Sequence, residues 1–332
     1  MCYNKFMKTN TSKKILEYIS NNTQATGSEL ADAFDISDRA IRKQLSKLLE
    51  DNKIRKIGKP PKVYYLINEK TEREEMYKDV NLNVKKEIDE KYLIITPAGE
   101  KKEGWEGFVY WCKKNNLPVA KTAVEYLKTL KKYEVFKNNG VISGTTKIKS
   151  TFNNLYLDKV LYLDFYSIER FGKTKLGQLL LYAKQSQNKK LMKEIVEQIK
   201  PVVKSIIKKY KIDGIGFIPP TVKRETQLMK ILEKGLKENI RKVSIVKVKT
   251  VVAVPQKTLN KVNDRIENAR DTIIVDENSS YNNILLIDDA IGSGATINET
   301  AKKIKDKKIC KGKIIGLAIT GSFKGFDVIS EV

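Results

Sequence analysis

Histidine is absent from all 332 residues. That excludes Ser-His-Asp and Cys-His nucleophilic chemistry and any histidine-bound zinc, and leaves chemistry done by carboxylates, backbone amides and fixed cations. Cysteine is scarce: Cys2, Cys112 and Cys310 lack metal-ligand spacing and fit a reducing cytosol. No apolar run approaches the roughly 18 residues of a membrane span. With no secretion signal, repeat or low-complexity tract visible either, the expectation is a cytoplasmic protein with no membrane partner. Negative charge is short as well, with 40 Asp and Glu against 64 Lys and Arg, a formal net charge of +24.

The surplus is +6 over residues 1–70, +4 over 71–150 and +14 over 151–332. A small anionic ligand needs only a handful of these charges. The remainder suits a larger polyanion, DNA or an RNA–DNA hybrid; a lysine-rich surface set by genomic composition would read the same way.

The most informative block begins at the apolar run Ile284-Leu285-Leu286-Ile287, closed by Asp288 and Asp289 and followed by Ala290-Ile291-Gly292-Ser293-Gly294-Ala295-Thr296. It reads as a strand, an acidic pair, a phosphate-sized loop and a helix start. Neighbouring carboxylates at a strand end raise the free energy unless sugar hydroxyls, a divalent ion or a lysine satisfies them. The amides of Ala295, Thr296 and Ile297 at the helix start can point at an anion. Residues 284–296 resemble the signature of type I phosphoribosyltransferases, which bind 5-phosphoribosyl-1-pyrophosphate (PRPP). The resemblance implies that Asp288 and Asp289 hold the ribose hydroxyls and that Ile291, Gly292, Ser293, Gly294, Ala295 and Thr296 wrap the 5′-phosphate. It also implies Mg²⁺ carried by PRPP, held by no dedicated protein ligands beyond a contact to the acidic pair. Two departures are visible: Ala290 where a larger aliphatic is usual, and Gly292 where a hydroxyl residue is common.

Upstream, residues 212–218 read as a buried strand and 219–224 as a basic loop before a helix at 226–239. This resembles the pyrophosphate loop of the same family, with Lys223 and Arg224 neutralising the diphosphate; solvated loop charges are the alternative. A strand is expected at 243–248. The spacing of Lys257, Thr258, Arg265 and Asn268 resembles the mobile loop of the ComF-like branch, making Lys257 and Arg265 candidates to close over PRPP. A helix is expected at 201–209, with Pro201 at its start.

At the other end, Ile15, Leu16 and Ile19 mark an amphipathic helix, Thr26-Gly27-Ser28-Glu29 a capping box, and Ser37 the cap of a helix over 38–50 that buries Ile41, Leu45, Leu48 and Leu49. Residues 54–57 and 63–67 read as strands around the turn 58–62. This resembles the winged helix-turn-helix over about residues 9–68, whose second capped helix enters the DNA major groove. Between Arg39 and Lys62 lie nine basic and two acidic residues. Arg39, Arg42 and Lys43 can address base edges or phosphates; Lys47, Arg55, Lys56, Lys59 and Lys62 suit phosphates. A protein-docking role for the same module stays open.

The middle third reads as a charged helical linker at 71–90, a short strand and turn at 92–99, and helices at 105–115 and 121–133 whose aromatic spacing favours core over base stacking. The expected architecture is α/β: a winged helix over 1–70, a mainly helical connector over 71–155, and a doubly wound, mostly parallel sheet over 156–332. That order resembles Gram-positive purine repressors and retron-associated winged-helix phosphoribosyltransferase effectors. It implies a DNA-binding regulator responsive to PRPP or a related nucleotide, acting as a homodimer on paired half-sites. The alternatives are an active phosphoribosyltransferase serving phage defence and a ComF-like DNA-uptake accessory.

Overall fold

The protein is described by a computed structural model covering residues 8–68, 80–220, 222, 224–236, 239–248, 251–252 and 254–322. The chain divides into two compact units, residues 1–80 and 81–332. The expected connector falls, from Asn81 onwards, within the second unit.

In the first unit, α1 (Lys8–Asn21), β1 (Ala25–Thr26), α2 (Gly27–Phe34), α3 (Asp38–Glu50), β2 (Ile54–Lys59) and β3 (Lys62–Ile67) follow in order. Thr26 and Glu29 satisfy each other's backbone amides at 2.7 and 3.2 Å, which starts α2. The Ser37 hydroxyl accepts from the Ala40 amide and starts α3. Ile15, Ile19, Leu30, Ile41, Leu45, Leu48 and Ile54 form the core. The hairpin is longer than expected: β2 and β3 pair to Lys59 and Lys62, leaving only Pro60 and Pro61 in the turn. Pairing of β1 with β3, which the local pattern does not announce, completes a three-stranded sheet in the order β1-β3-β2.

The second unit opens with α4 (Leu82–Lys91), the hairpin β4 (Leu93–Ile95) and β5 (Lys101–Glu103), α5 (Gly104–Lys114) and α6 (Val119–Glu134). Tyr92, Phe108 and Tyr126 are buried against one another with ring centroids 5.3–5.4 Å apart, so these aromatics are core. Next come β6 (Lys137–Asn138), β7 (Val141–Ser143), α7 (Thr145–Lys149), β8 (Lys159–Phe165), the short pair β9 (Ser167–Ile168) and β10 (Gly172–Lys173), and α8 (Lys175–Gln185). The stretch read as a helical connector therefore also supplies two strands to the main sheet, because β7 pairs antiparallel with β8.

Pro201 lies inside a 22-residue helix, α9 (Lys189–Tyr210), and does not start one. An interior proline costs about 3 kcal/mol. Six side chains of this helix are buried, Met192, Ile195, Val196, Ile199, Val203 and Ile206. At roughly 1.5–3 kcal/mol for each aliphatic side chain removed from water, they outweigh the lost hydrogen bond, and Asn188 caps the true start by accepting from Lys190 and Leu191.

The remaining elements are β11 (Gly214–Phe217), α10 (Leu228–Gly235), β12 (Arg241–Val243), β13 (Ile245–Lys247), α11 (Val262–Thr272), β14 (Ile273–Val275), β15 (Ile284–Ile291), α12 (Ala295–Asp306) and β16 (Ile314–Gly321). The strand expected over 243–248 is two strands broken at Ser244, whose carbonyl accepts from Asp276. The outer one, β12, joins the main sheet, and β13 pairs with β14. The main sheet has seven strands in the order β12-β11-β15-β16-β8-β7-β6, parallel from β12 through β8. Apolar side chains of α8, α9 and α10 form the core on one face, and those of α7, α12 and β14 the core on the other.

Candidate functional site

From β11 the chain moves outward to β12, whereas from β15 it moves the opposite way to β16. The order reverses between β11 and β15, and a crevice opens beyond their carboxyl ends, where ligands of open α/β sheets bind. Here lies a cavity of about 230 Å³ lined by the segments after both strands, among them Pro219, Arg224, Thr226 and every residue from Asp288 to Ile297.

The acidic pair is still within a strand. Pairing of β15 with β16 continues to Ile291, whereas pairing with β11 ends at Ile287. Asp288 and Asp289 are thus held rigidly on one side and open on the other. Alternation along the strand puts Ile284 and Leu286 in one core and Leu285 and Ile287 in the other, so the two carboxyls leave towards opposite faces. Asp289 Oδ2 accepts from Lys184 Nζ of α8 at 2.7 Å, with both side chains less than one-fifth exposed. Asp288 Oδ1 accepts from the Asp289 amide at 2.8 Å. Burial, then the neighbouring Asp289 charge, pushes the Asp288 carboxyl up from the ordinary aspartate range to about 8, against the pull of that amide, Lys184 and Lys247. Lys247 of β13 is shifted down, chiefly by its own burial.

Beyond Ile291 the loop is only Gly292-Ser293-Gly294. Gly294 caps α12 with φ +83°, a conformation that disfavours a side chain, and a Cβ there would also press on Ile148 at 3.0 Å. The Ser293 hydroxyl reaches the Ala295 amide at 3.4 Å. The amides of the first helical turn have no carbonyl of their own helix to bond and face the cavity end of α12. Residues Ile291 to Thr296 all line the cavity.

On the opposite wall, Arg224 Nη1 donates to the carbonyl of Lys184, and the Thr226 amide donates to Gln187 Oε1 at 2.9 Å. The carboxyl end of α8 therefore ties the post-β11 segment to the acidic pair. Lys223 lies outside the described residues, as does the side chain of Lys257. Arg265, expected to close over a ligand, lines the cavity but is buried in α11 and donates Nε to the Leu259 carbonyl at 2.7 Å. Asn268 accepts from Gln256 at 3.1 Å and from Lys247 at 3.3 Å. The spacing that suggested a mobile loop here anchors the segment 254–259 to α11.

In the first unit, Arg39, Arg42, Lys43 and Lys47 are exposed on α3, on the face opposite Ile41, Leu45 and Leu48. Lys56 is exposed and Arg55 half-buried on β2. The side chains of Lys59 and Lys62 lie outside the described residues.

The sequence reading did not find Lys184. Its signal is a lysine four residues after Leu180 and seven after Gly177, on the buried side of α8. Gln187 and Lys247 carried no local sign. They become site residues only through long-range packing.

The HTH domain family model matches residues 11–65, and the first unit is a helix-turn-helix domain with a β-wing. No curated protein matches the sequence. Among solved structures, a hypoxanthine phosphoribosyltransferase from Staphylococcus aureus is similar at 14% identity over 41% of this chain and 80% of that one, with a TM-score of 0.24, a likeness too loose to argue from. Among the described residues no helix is long and apolar enough to cross a membrane.

Proposed function

We propose that this chain is a DNA-binding regulator whose second unit binds PRPP or a related nucleotide together with Mg²⁺. One observation carries the reading. At the reversal point of a parallel sheet, two carboxylates, a glycine-flanked helix start and Arg224 surround a single cavity. Asp288 and Asp289 accept from the ribose hydroxyls, the loop 291–296 donates amides to the 5′-phosphate, and Arg224 takes the diphosphate by a two-pronged fork.

The donor set also fits the metal. Among the described residues no cluster of three or more Asp, Glu, Cys or His could hold an ion unaided. Mg²⁺ commonly binds through one or two carboxylates plus ligand phosphates and water, and Asp288 or Asp289 would offer one such carboxylate. Bound there, the ion would neutralise diphosphate charge.

On the first unit, α3 presents Arg39, Arg42, Lys43 and Lys47 to a major groove and the hairpin presents Lys56, with two copies addressing paired half-sites. If ligand and DNA are coupled, each changes the other's affinity equally, on the order of 1–3 kcal/mol. Calorimetric titration of the full chain with PRPP and Mg²⁺, with and without DNA, tests the whole reading. Saturable PRPP binding is expected, and its absence defeats the proposal.

The same cavity is also compatible with transfer of the ribose phosphate, because the acidic pair and the phosphate loop are both intact. Release of pyrophosphate on addition of a base or nucleotide acceptor would establish that second reading.

A further inference from the structure

The acidic pair is not empty of charge partners. Lys184 Nζ lies 2.7 Å from Asp289 Oδ2, in a contact where the two side chains are 18% and 19% exposed. Lys247 adds a second positive charge near Asp288. Asp289 is therefore paired with a lysine at hydrogen-bond distance and Asp288 has a second cation near it, so the site carries no excess of negative charge before any ligand arrives. Lys184 is also held from behind, since its carbonyl accepts from Arg224, itself a wall of the cavity.

This arrangement conflicts with ligand binding as it stands. An ammonium has only donors, and it occupies Asp289 Oδ2, one of the two oxygens that a sugar hydroxyl or a metal ion would use. A bare divalent cation gains little from Asp289, already neutralised at hydrogen-bond distance, and must also approach the positive charge of Lys184. A phosphorylated sugar meets no such barrier, because it brings the anion to which the lysine can move. Arg224 is placed to move with it, exchanging the Lys184 carbonyl for the same phosphates.

Resting on the reading above and deepening it, we propose that Lys184 is an internal occupant of the ribose-and-metal position, displaced from Asp289 by an entering phosphorylated sugar, so that the site accepts a divalent cation only together with its anionic ligand. Lys184 is thus a specificity-determining residue. It makes metal binding conditional on the sugar phosphate.

The test uses the full chain and Mn²⁺ as the probe, titrated by electron paramagnetic resonance with and without PRPP. The wild type should bind Mn²⁺ weakly alone and much more tightly with PRPP. In Lys184→Gln, Mn²⁺ alone should bind about tenfold more tightly or better, so that the ratio of the two affinities shrinks by about that factor, and adding Asp289→Asn should remove the gain. Lys184→Met, which keeps the length of the side chain, gives the same readout should the glutamine variant not fold. An unchanged ratio in a folded variant overturns the proposal and leaves PRPP binding standing. If PRPP has no effect on Mn²⁺ binding by the wild type and binds nowhere, the underlying reading fails and this proposal falls with it.

Discussion

Helix α3 and the carboxyl end of β15 both concentrate charge, but they handle it in opposite ways. On α3 the cations Arg39, Arg42, Lys43 and Lys47 stand exposed, three and four residues apart, with the apolar side turned inward. At β15 the charges are half-buried, held by strand pairing to β16, and paired across elements, Asp289 with Lys184. Exposed like charges suit a long polyanion met in water, where affinity comes from counterion release and depends on salt. Buried opposite charges suit a small ligand that must replace each existing partner, so that affinity depends on geometry and protonation. Under the proposed function, the two places take separate ligands on the strength of that contrast.

The largest expected effect sharpens it. Asp288→Asn combined with Asp289→Asn should weaken PRPP binding by about two orders of magnitude or more, since two charge-assisted hydrogen-bond sets are lost at roughly 1.5–3 kcal/mol each. DNA affinity measured without PRPP should stay within twofold of the wild type, as the altered residues belong to the other compact unit. Circular dichroism and calorimetry on the same preparation check both halves. A parallel loss of DNA binding would break the comparison.

Next in size is the reverse experiment. Arg39→Ala with Arg42→Ala should lower DNA affinity by about tenfold or more and leave PRPP binding unchanged. The slope of log affinity against log salt should shrink by about 0.9 for each phosphate contact removed. A flat salt dependence in the wild type would instead favour protein docking by this module.

Much of this contrast is legible in the sequence, and the illegible part has one physical origin. Helix α3 runs over Asp38–Glu50 as read, because Ser37 and the apolar period fix it locally. The capping box of α2 is equally local. The acidic block, too, is a contiguous string. What the string does not disclose is its partners. Strand β15 was expected to end at the acids but continues to Ile291, because β16 continues beside it to Gly321. Pro201 was read as a helix start on a local rule, and a buried face spanning six side chains overrides that rule. Lys184 is more than one hundred residues from Asp289 in the chain, and only the packing of α8 brings them together.

A smaller effect, several-fold, concerns pH. Sugar hydroxyls donate to an ionised carboxylate, but burial and Asp289 hold the Asp288 carboxyl up near 8. Binding that needs the ionised carboxylate therefore releases a proton wherever Asp288 is still protonated. PRPP affinity should rise several-fold between pH 6 and pH 8 as Asp288 ionises. Calorimetry in buffers of different ionisation enthalpy counts the proton released, and none released at pH 7 would show that Asp288 is already ionised.

The smallest effect is on stability. An aspartate raised in the folded state binds more protons there than in the unfolded chain between the two values, so this group's contribution to stability falls as pH rises through that window. Asp288→Asn removes that penalty while keeping the shape. The variant should therefore be more stable than the wild type at pH 8, on the order of 1 kcal/mol after allowance for solvent screening, and the gain should fade towards pH 4. Asp289→Asn should do the opposite at neutral pH, because it leaves the largely buried Lys184 ammonium without its carboxylate. Chemical denaturation of both variants at the two pH values decides the point. Equal behaviour of the two would mean that the charges beside β15 are as loosely held as those on α3, and the contrast between the regions would rest on sequence motif alone.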